Sequence, residues 1–202
     1  LNRSKDLVPD RERCLELLRQ YRVPEHVISH SLQVCRVSLF LGGELNRAGE
    51  KLDLSVVEAA ALLHDITKIR GLEEGSNHAK TAGELLRSLG YERVAQVVAR
   101  HVVVPKEMMM DQGIKEDELV NYADKRVLHD RIVTLEERFR DLQERYGGNP
   151  YSTRLIRESL SRAKAIESRI FDRIDLRPEQ LAEAIKRRQA PSLHERPMMR
   201  KK

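Results

Sequence analysis

The stretch Ala59-Ala60-Ala61-Leu62-Leu63-His64-Asp65-Ile66-Thr67-Lys68 decides how this chain is read. An apolar helical run ends abruptly in a histidine and an aspartate, and a lysine follows three residues later. An imidazole beside a carboxylate can ligate one metal ion, and a lysine one helical turn further on can meet a phosphate. The dipeptide alone carries little, because His129-Asp130 repeats it, again after a leucine. Its weight depends on whether other ligand-type residues stand on equally apolar faces.

Working outward, the periodicity predicts helices throughout and no strand with its turn chemistry, so the expected class is all-α. Asp10 caps a helix over 11–21, and a second helix runs from about Pro24 to Asn46 with Val27, Val34, Val37 and Leu41 on one stripe together with His30. The third starts near Asp53 or Ser55 and runs to His64. Residues 69–77, with Gly71, Gly75, Ser76 and Asn77, read as an exposed loop. Asn77 caps a helix from His78 to Leu89, closed by Gly90, and the next spans Glu92 to Val102 with His101 on its apolar face. Met108-Met109-Met110 reads as adaptable packing, ahead of one wall of a substrate surface. A long helix is expected from Glu116 to about Tyr146, with Asp124 among its apolar residues and a solvated face at Glu136, Glu137, Arg138, Arg140 and Asp141. After the Gly147-Gly148-Asn149-Pro150 break come helices over about 152–174 and 178–188.

The composition suits one soluble domain with an appendage: 202 residues, 40% apolar and 34% charged. Aromatics are 4% with no Trp, which disfavours a stacking platform for single-stranded nucleic acid. The net charge is +5, but residues 186–202 hold seven Lys/Arg against one Glu, net +6, so residues 1–185 net −1. The body is close to neutral, which weakens a nucleic-acid reading. Cys14 and Cys35 are isolated within helical patterns, as expected of reduced buried thiols. No run suits a membrane span or a signal peptide, so the expected location is cytoplasmic.

His30, His64, Asp65, His78, His101 and Asp124 come from five separate predicted helices, each on an apolar stripe. Taken singly, an inward histidine is more often a hydrogen-bonded core residue. Six such groups on different elements are most economically explained by a shared metal centre, because unpaired buried charge is costly. His26, one turn before His30, competes for its role but lies in a first turn open to water. His129 and Asp130 are expected to be solvated on the long helix, with His129 able to approach the mouth of a site.

Val27-Ile28-Ser29-His30-Ser31-Leu32-Gln33-Val34, then Ala60-Ala61-Leu62-Leu63-His64-Asp65-Ile66-Thr67-Lys68, then Tyr122-Ala123-Asp124-Lys125 resemble the H…HD…D signature of the HD-domain metal-dependent phosphohydrolases. With Asn77-His78-Ala79 and Arg100-His101-Val102 the pattern is similar to the binuclear H…HD…H…H…D subgroup, including the bacterial hydrolases that split dinucleoside tetraphosphates symmetrically. Thr67 stands where glycine often follows, and Lys125-Arg126-Val127 replaces the acidic continuation of the tetraphosphate enzymes.

The resemblance implies an HD helical bundle with additional C-terminal helices. Residues 1–21 would be an N-terminal helix on the core, 22–130 the HD domain, 131–190 a helical extension and 191–202 a basic disordered tail. It implies two divalent transition metals (Fe, Mn, Zn, Co or Ni). His30, His64, Asp65 and Asp124 would hold one, His78 and His101 the other, with Asp65 bridging. The implied activity is attack of a metal-bound hydroxide on a phosphoester or phosphoanhydride of a small nucleotide-like substrate. Asp65 and Lys68 would be catalytic, and Arg70, Lys106 and Arg126 would bind further phosphates. The alternative is a regulatory nucleotide-binding HD module with little turnover. A third reading, a helical RNA-interaction domain, rests on the basic tail. The C-terminal helices are candidates for homodimer contacts.

Overall fold

The computed structural model describes residues 7–75, 77–102 and 113–189. Ten α-helices, one 3-10 turn and one two-stranded ribbon make up the described residues, in keeping with the all-α expectation. Lys106, the methionine triplet and the tail from residue 190 lie outside them.

The middle of the bundle is α3, Leu54–Leu63, started by Asp53, whose carboxylate accepts from the Ser55 and Val56 amides. Its sequence is apolar except at Ser55 and Glu58, which share its outer side, so the rest of the helix must be enclosed. It packs against α1 (Arg11–Gln20), α2 (Glu25–Arg47), α6 (Glu92–Arg100) and α7 (Glu116–Lys125). α5 (His78–Ser88) lies on α6 and starts from an Asn77 cap, as expected. Gly90 follows α5 with φ +87°, the left-handed stop that its sequence predicts.

Two segments differ from expectation. Residues 69–77 are not simply a loop: α4, Lys68–Glu74, occupies most of them and stops at Gly75, φ +62°. Gly71 serves close packing here, since a Cβ at that position would sit 2.8 Å from the His78 Cβ. The long helix over 116–146 is broken. α7 ends at Lys125, a ribbon pairs Val127 with Ile132 and Leu128 with Arg131, and a new helix, α8, covers Leu135–Tyr146. Val127, Ile132, Val133 and Thr134 are β-branched and favour extended backbone. His129 turns the chain at φ +56°, and Thr134 caps α8.

The last helices are α9, Pro150–Phe171, and α10, Leu181–Gln189, entered through the turn Pro178–Gln180. Their apolar stripe joins the same core: Ala163, Ile166, Ile170, Leu181 and Ile185 are buried in one cluster with Leu17, Leu41 and Leu62. Arg126 lies inside this packing. Its Nε donates to the Val133 carbonyl (2.7 Å) and its Nη2 to the Pro178 carbonyl (3.0 Å). Its Nη1 meets the Tyr122 hydroxyl and Glu167. No helix among the described residues is long and apolar enough to cross a membrane.

Candidate metal centre

All six ligand-type residues singled out in the sequence meet at one end of α3. His64 and Asp65 sit where that helix stops, in a tight turn held by the Ile66 amide on the Leu63 carbonyl (3.1 Å) and the Lys68 amide on the Asp65 carbonyl (3.0 Å). His30 comes from the second turn of α2, His78 from the first residue of α5, His101 from the end of α6 and Asp124 from the last turn of α7. The imidazole rings form a chain: centroids are 5.5 Å apart for His30–His64, 5.0 Å for His64–His101 and 5.3 Å for His78–His101.

Backbone carbonyls fix three of the rings. His64 Nδ1 donates to the Ala61 carbonyl (2.8 Å), His101 Nδ1 to the Val98 carbonyl (2.7 Å) and His30 Nδ1 to the His129 carbonyl (2.8 Å). A carbonyl has no proton to give, so each Nδ1 carries the hydrogen and each Nε2, in the neutral ring, presents a lone pair. Those lone pairs point at carboxylates. His30 Nε2 is 3.1 Å from Asp124 Oδ1. His64 Nε2 is 3.4 Å from Asp65 Oδ2 and 3.8 Å from Asp124 Oδ1. Asp65 Oδ1 faces the other way, 3.5 Å from His78 Nε2 and 3.9 Å from His101 Nε2. Each oxygen of Asp65 thus faces its own histidine set.

Lone pairs facing carboxylate oxygens repel unless a cation or a proton lies between them. His64 Nε2 is fully buried and makes no hydrogen bond, the arrangement expected of an atom reserved for a ligand. The donor set fits a divalent metal. Two groups, His30-His64-Asp65 and Asp65-His78-His101, each offer one atom per residue with all atoms within 4.8 Å of one another. Imidazole with carboxylate suits transition metals better than calcium.

The electrostatics agree. Burial alone would lift the Asp65 carboxyl, but His64, Lys68 and His101 hold it well below the usual carboxylate range. Asp124 is likewise depressed against its burial, by Lys125, His30 and His64. Burial pulls the His64 imidazole down, and Asp65 and Asp124 more than reverse it, so His64 is raised. Burial, with the field of His64, lowers His101 to about 3, and burial also lowers His78. The negative field that attracts a proton to His64 attracts a metal cation equally.

Around this cluster, neighbours hold the ligand-type groups in place. Lys125 Nζ bonds Asp124 Oδ2 (3.1 Å) and the His101 carbonyl (3.3 Å), and Asn121 donates to that same carbonyl (2.6 Å). Thr67 donates its hydroxyl to the His78 carbonyl (2.9 Å), tying the His64-Asp65 turn to the start of α5. Lys68 Nζ lies 2.5 Å from Asp65 Oδ2 and lines a cavity of about 350 Å³ together with His78, His101 and Asp124. Of the other cations expected here, Arg70 is exposed on α4 and does not line that cavity. Arg126 turns away from it into the core contacts described above, so its expected phosphate role is corrected to a structural one. His26 is exposed and outside the cluster, leaving His30 as the inward residue.

His129, expected only to approach the mouth of the site, instead holds the His30 ring. It is on a ribbon turn, not a helix, and it serves the cluster through its backbone carbonyl rather than its ring. The sequence reading missed Arg138 and Arg145, which reach the cavity from α8. No pattern marked them apart from the charged residues beside them.

Comparison with known proteins gives relatives and a family. Two curated relatives are each named tRNA (cytidine(56)-2'-O)-methyltransferase. The one from Thermoplasma volcanium is 29% identical over 117 residues, 56% of this chain and 32% of the relative. The one from Picrophilus torridus is 26% identical over 142 residues, 64% of this chain and 40% of the relative. The chain therefore spans about a third to two fifths of the length of these relatives. No solved structure matches it significantly. The model of the HD domain matches residues 27–177, from the second helix through α9, and so takes in every residue of the cluster: the chain belongs to the HD domain family.

Proposed function

We propose that this chain is a metal-dependent phosphohydrolase that cleaves a phosphoester or phosphoanhydride of a nucleotide-like substrate. The observation that carries the reading is the division of Asp65, one oxygen towards His64 and the other towards His78 and His101. His30, His64, Asp65 and Asp124 would hold one ion and Asp65, His78 and His101 a second. When bound, such a pair activates water and polarises a phosphoryl group. The carbonyls of Ala61, Val98 and His129 keep the three Nε2 lone pairs aimed inward, which raises ligand basicity and fixes ring orientation. Lys68, raised by Asp65 and Asp124 against its burial, stays an ammonium and offsets charge on the phosphoryl or leaving oxygen.

The test is elemental analysis of the purified protein, then a phosphoester screen after Mn or Fe loading. His64→Ala and Asp65→Ala should abolish both metal and turnover. A protein that takes up no metal sinks the reading, and undiminished turnover in either variant moves the chemistry elsewhere.

The names of the relatives refer to tRNA, which favours including RNA phosphoesters in that screen. An RNA substrate gives binding that weakens steeply with salt, and a small nucleotide does not.

A further inference from the structure

Arg138 and Arg145 stand about two turns apart on one face of α8, outside the elements that carry the histidines and aspartates of the cluster. Together with Lys68 and Tyr146 they line two adjoining cavities. One, of about 350 Å³, opens onto Asp65, His78, His101 and Asp124. The other, of about 240 Å³, opens onto His30 and His129. The four side chains therefore line both cavities beside the cluster. Arg138 is mostly buried here, and its Nε is enclosed without a hydrogen-bond partner. Its Nη1 bonds Asp141 at 2.9 Å, and Arg145 bonds the same carboxylate at 2.5 Å. One carboxylate between two guanidiniums leaves a net positive charge, and a buried Nε–H without an acceptor is costly. Lys68 and Lys125 are already engaged by Asp65 and Asp124. Among the described residues that line these cavities, the two guanidiniums on α8 outnumber their carboxylate partner.

Resting on the phosphohydrolase reading, we infer that Arg138 and Arg145 bind a second phosphate of the same ligand, adjacent to the one presented to the Asp65 cluster, so that α8 selects ligands carrying two or more linked phosphates over those carrying one. Guanidinium forks suit phosphate oxygens, and Asp141 holds both forks in register before the ligand arrives.

The experiment is calorimetric titration of the full chain with inorganic phosphate, pyrophosphate and tripolyphosphate, with metal content measured on the same samples. Pyrophosphate should bind at least tenfold more tightly than phosphate. Arg138→Gln and Arg145→Gln should each bring that ratio towards one while phosphate affinity and metal content hold. Arg145 is about half exposed, so R145Q tests the idea even if R138Q disturbs folding. Equal affinities for phosphate and pyrophosphate in the wild type, or a ratio untouched in R145Q, overturn the inference. So does an equal loss of both affinities in the variants. A preference that depends on these arginines in a protein that loads no metal would instead uphold this site and overturn the phosphohydrolase reading.

Discussion

Replacing Arg126 by methionine separates a structural role from a ligand-binding one. The side chain is 3% exposed and its guanidinium joins three parts of the chain. Nε holds the Val133 carbonyl where the ribbon leads into α8, Nη2 holds the Pro178 carbonyl before α10, and Nη1 pairs with Glu167 of α9 at 3.2 Å. Methionine keeps much of the apolar stem but leaves two carbonyls and the buried Tyr122 hydroxyl without their donor. Hydrogen bonds to a charged group contribute about 1.5–3 kcal/mol each, and breaking a buried pair costs about 3–5 kcal/mol. Glu167 is 21% exposed and can turn to water, so the lower part of that range applies. We expect Arg126→Met to lose about 3–4 kcal/mol, a fall in Tm of about 6–16 °C for a chain of this size. Urea unfolding followed by circular dichroism, with metal content measured beside it, checks this. An unchanged midpoint together with lost phosphate affinity would refute the structural assignment and return Arg126 to the ligand.

His129→Gly should retain full metal content and shift stability by no more than about 1 kcal/mol, because the cluster uses the residue's carbonyl and glycine accepts its φ of +56°. His30→Ala, measured alongside, should lose metal; equal losses in the two variants would mean that the His129 ring itself contributes. Gly71→Ala places a methyl against the start of α5, 2.8 Å from the His78 Cβ, and should cost about 1–3 kcal/mol. It should also lower metal stoichiometry at the Asp65-His78-His101 set, and full stoichiometry by elemental analysis would show that α5 yields without cost. Burial pushes the Cys14 thiol up to about 12 and the Cys35 thiol up to about 11, so neither should react with iodoacetamide at pH 8 unless the chain is unfolded. Both folded values lie above the ordinary 9.0, so the unfolded chain deprotonates first. Stability is then full below about pH 9 and falls as pH rises towards the folded values, by up to about 1.4 kcal/mol per pH unit for each thiol. Flat unfolding midpoints between pH 8.5 and 10.5 would contradict this.

Much of the site could be read in the chain because a buried ionisable group on an apolar stripe is a local signal. His30, His64, His101 and Asp124 each interrupt such a stripe, and the caps Asp10, Asp53 and Asn77 mark where three of the helices start. These depend on residue spacing and on the chemistry of single side chains, which a sequence carries in full.

Other features depend on what lies opposite. Arg126 and Arg138 have the same side chain, yet one spans the packing of α9 and α10 and the other faces the cluster. Nothing near either residue in the chain distinguishes them, since a guanidinium's role follows from its acceptors. The break after α7 was likewise hidden: the apolar spacing continues through Val127 and Ile132, and the contacts of Arg126 with Glu167 and the Pro178 carbonyl come from residues far along the chain. The sequence by itself determined an all-α chain, its capped helices and the set of ligand-type residues. Only the tertiary structure decided that the apolar stripe of the last helices closes on the chain's own core, that Asp65 divides its oxygens between two histidine sets, and that the His129 backbone orients His30. Those are contacts between residues far apart in the chain, whose distances exist only once the helices have packed.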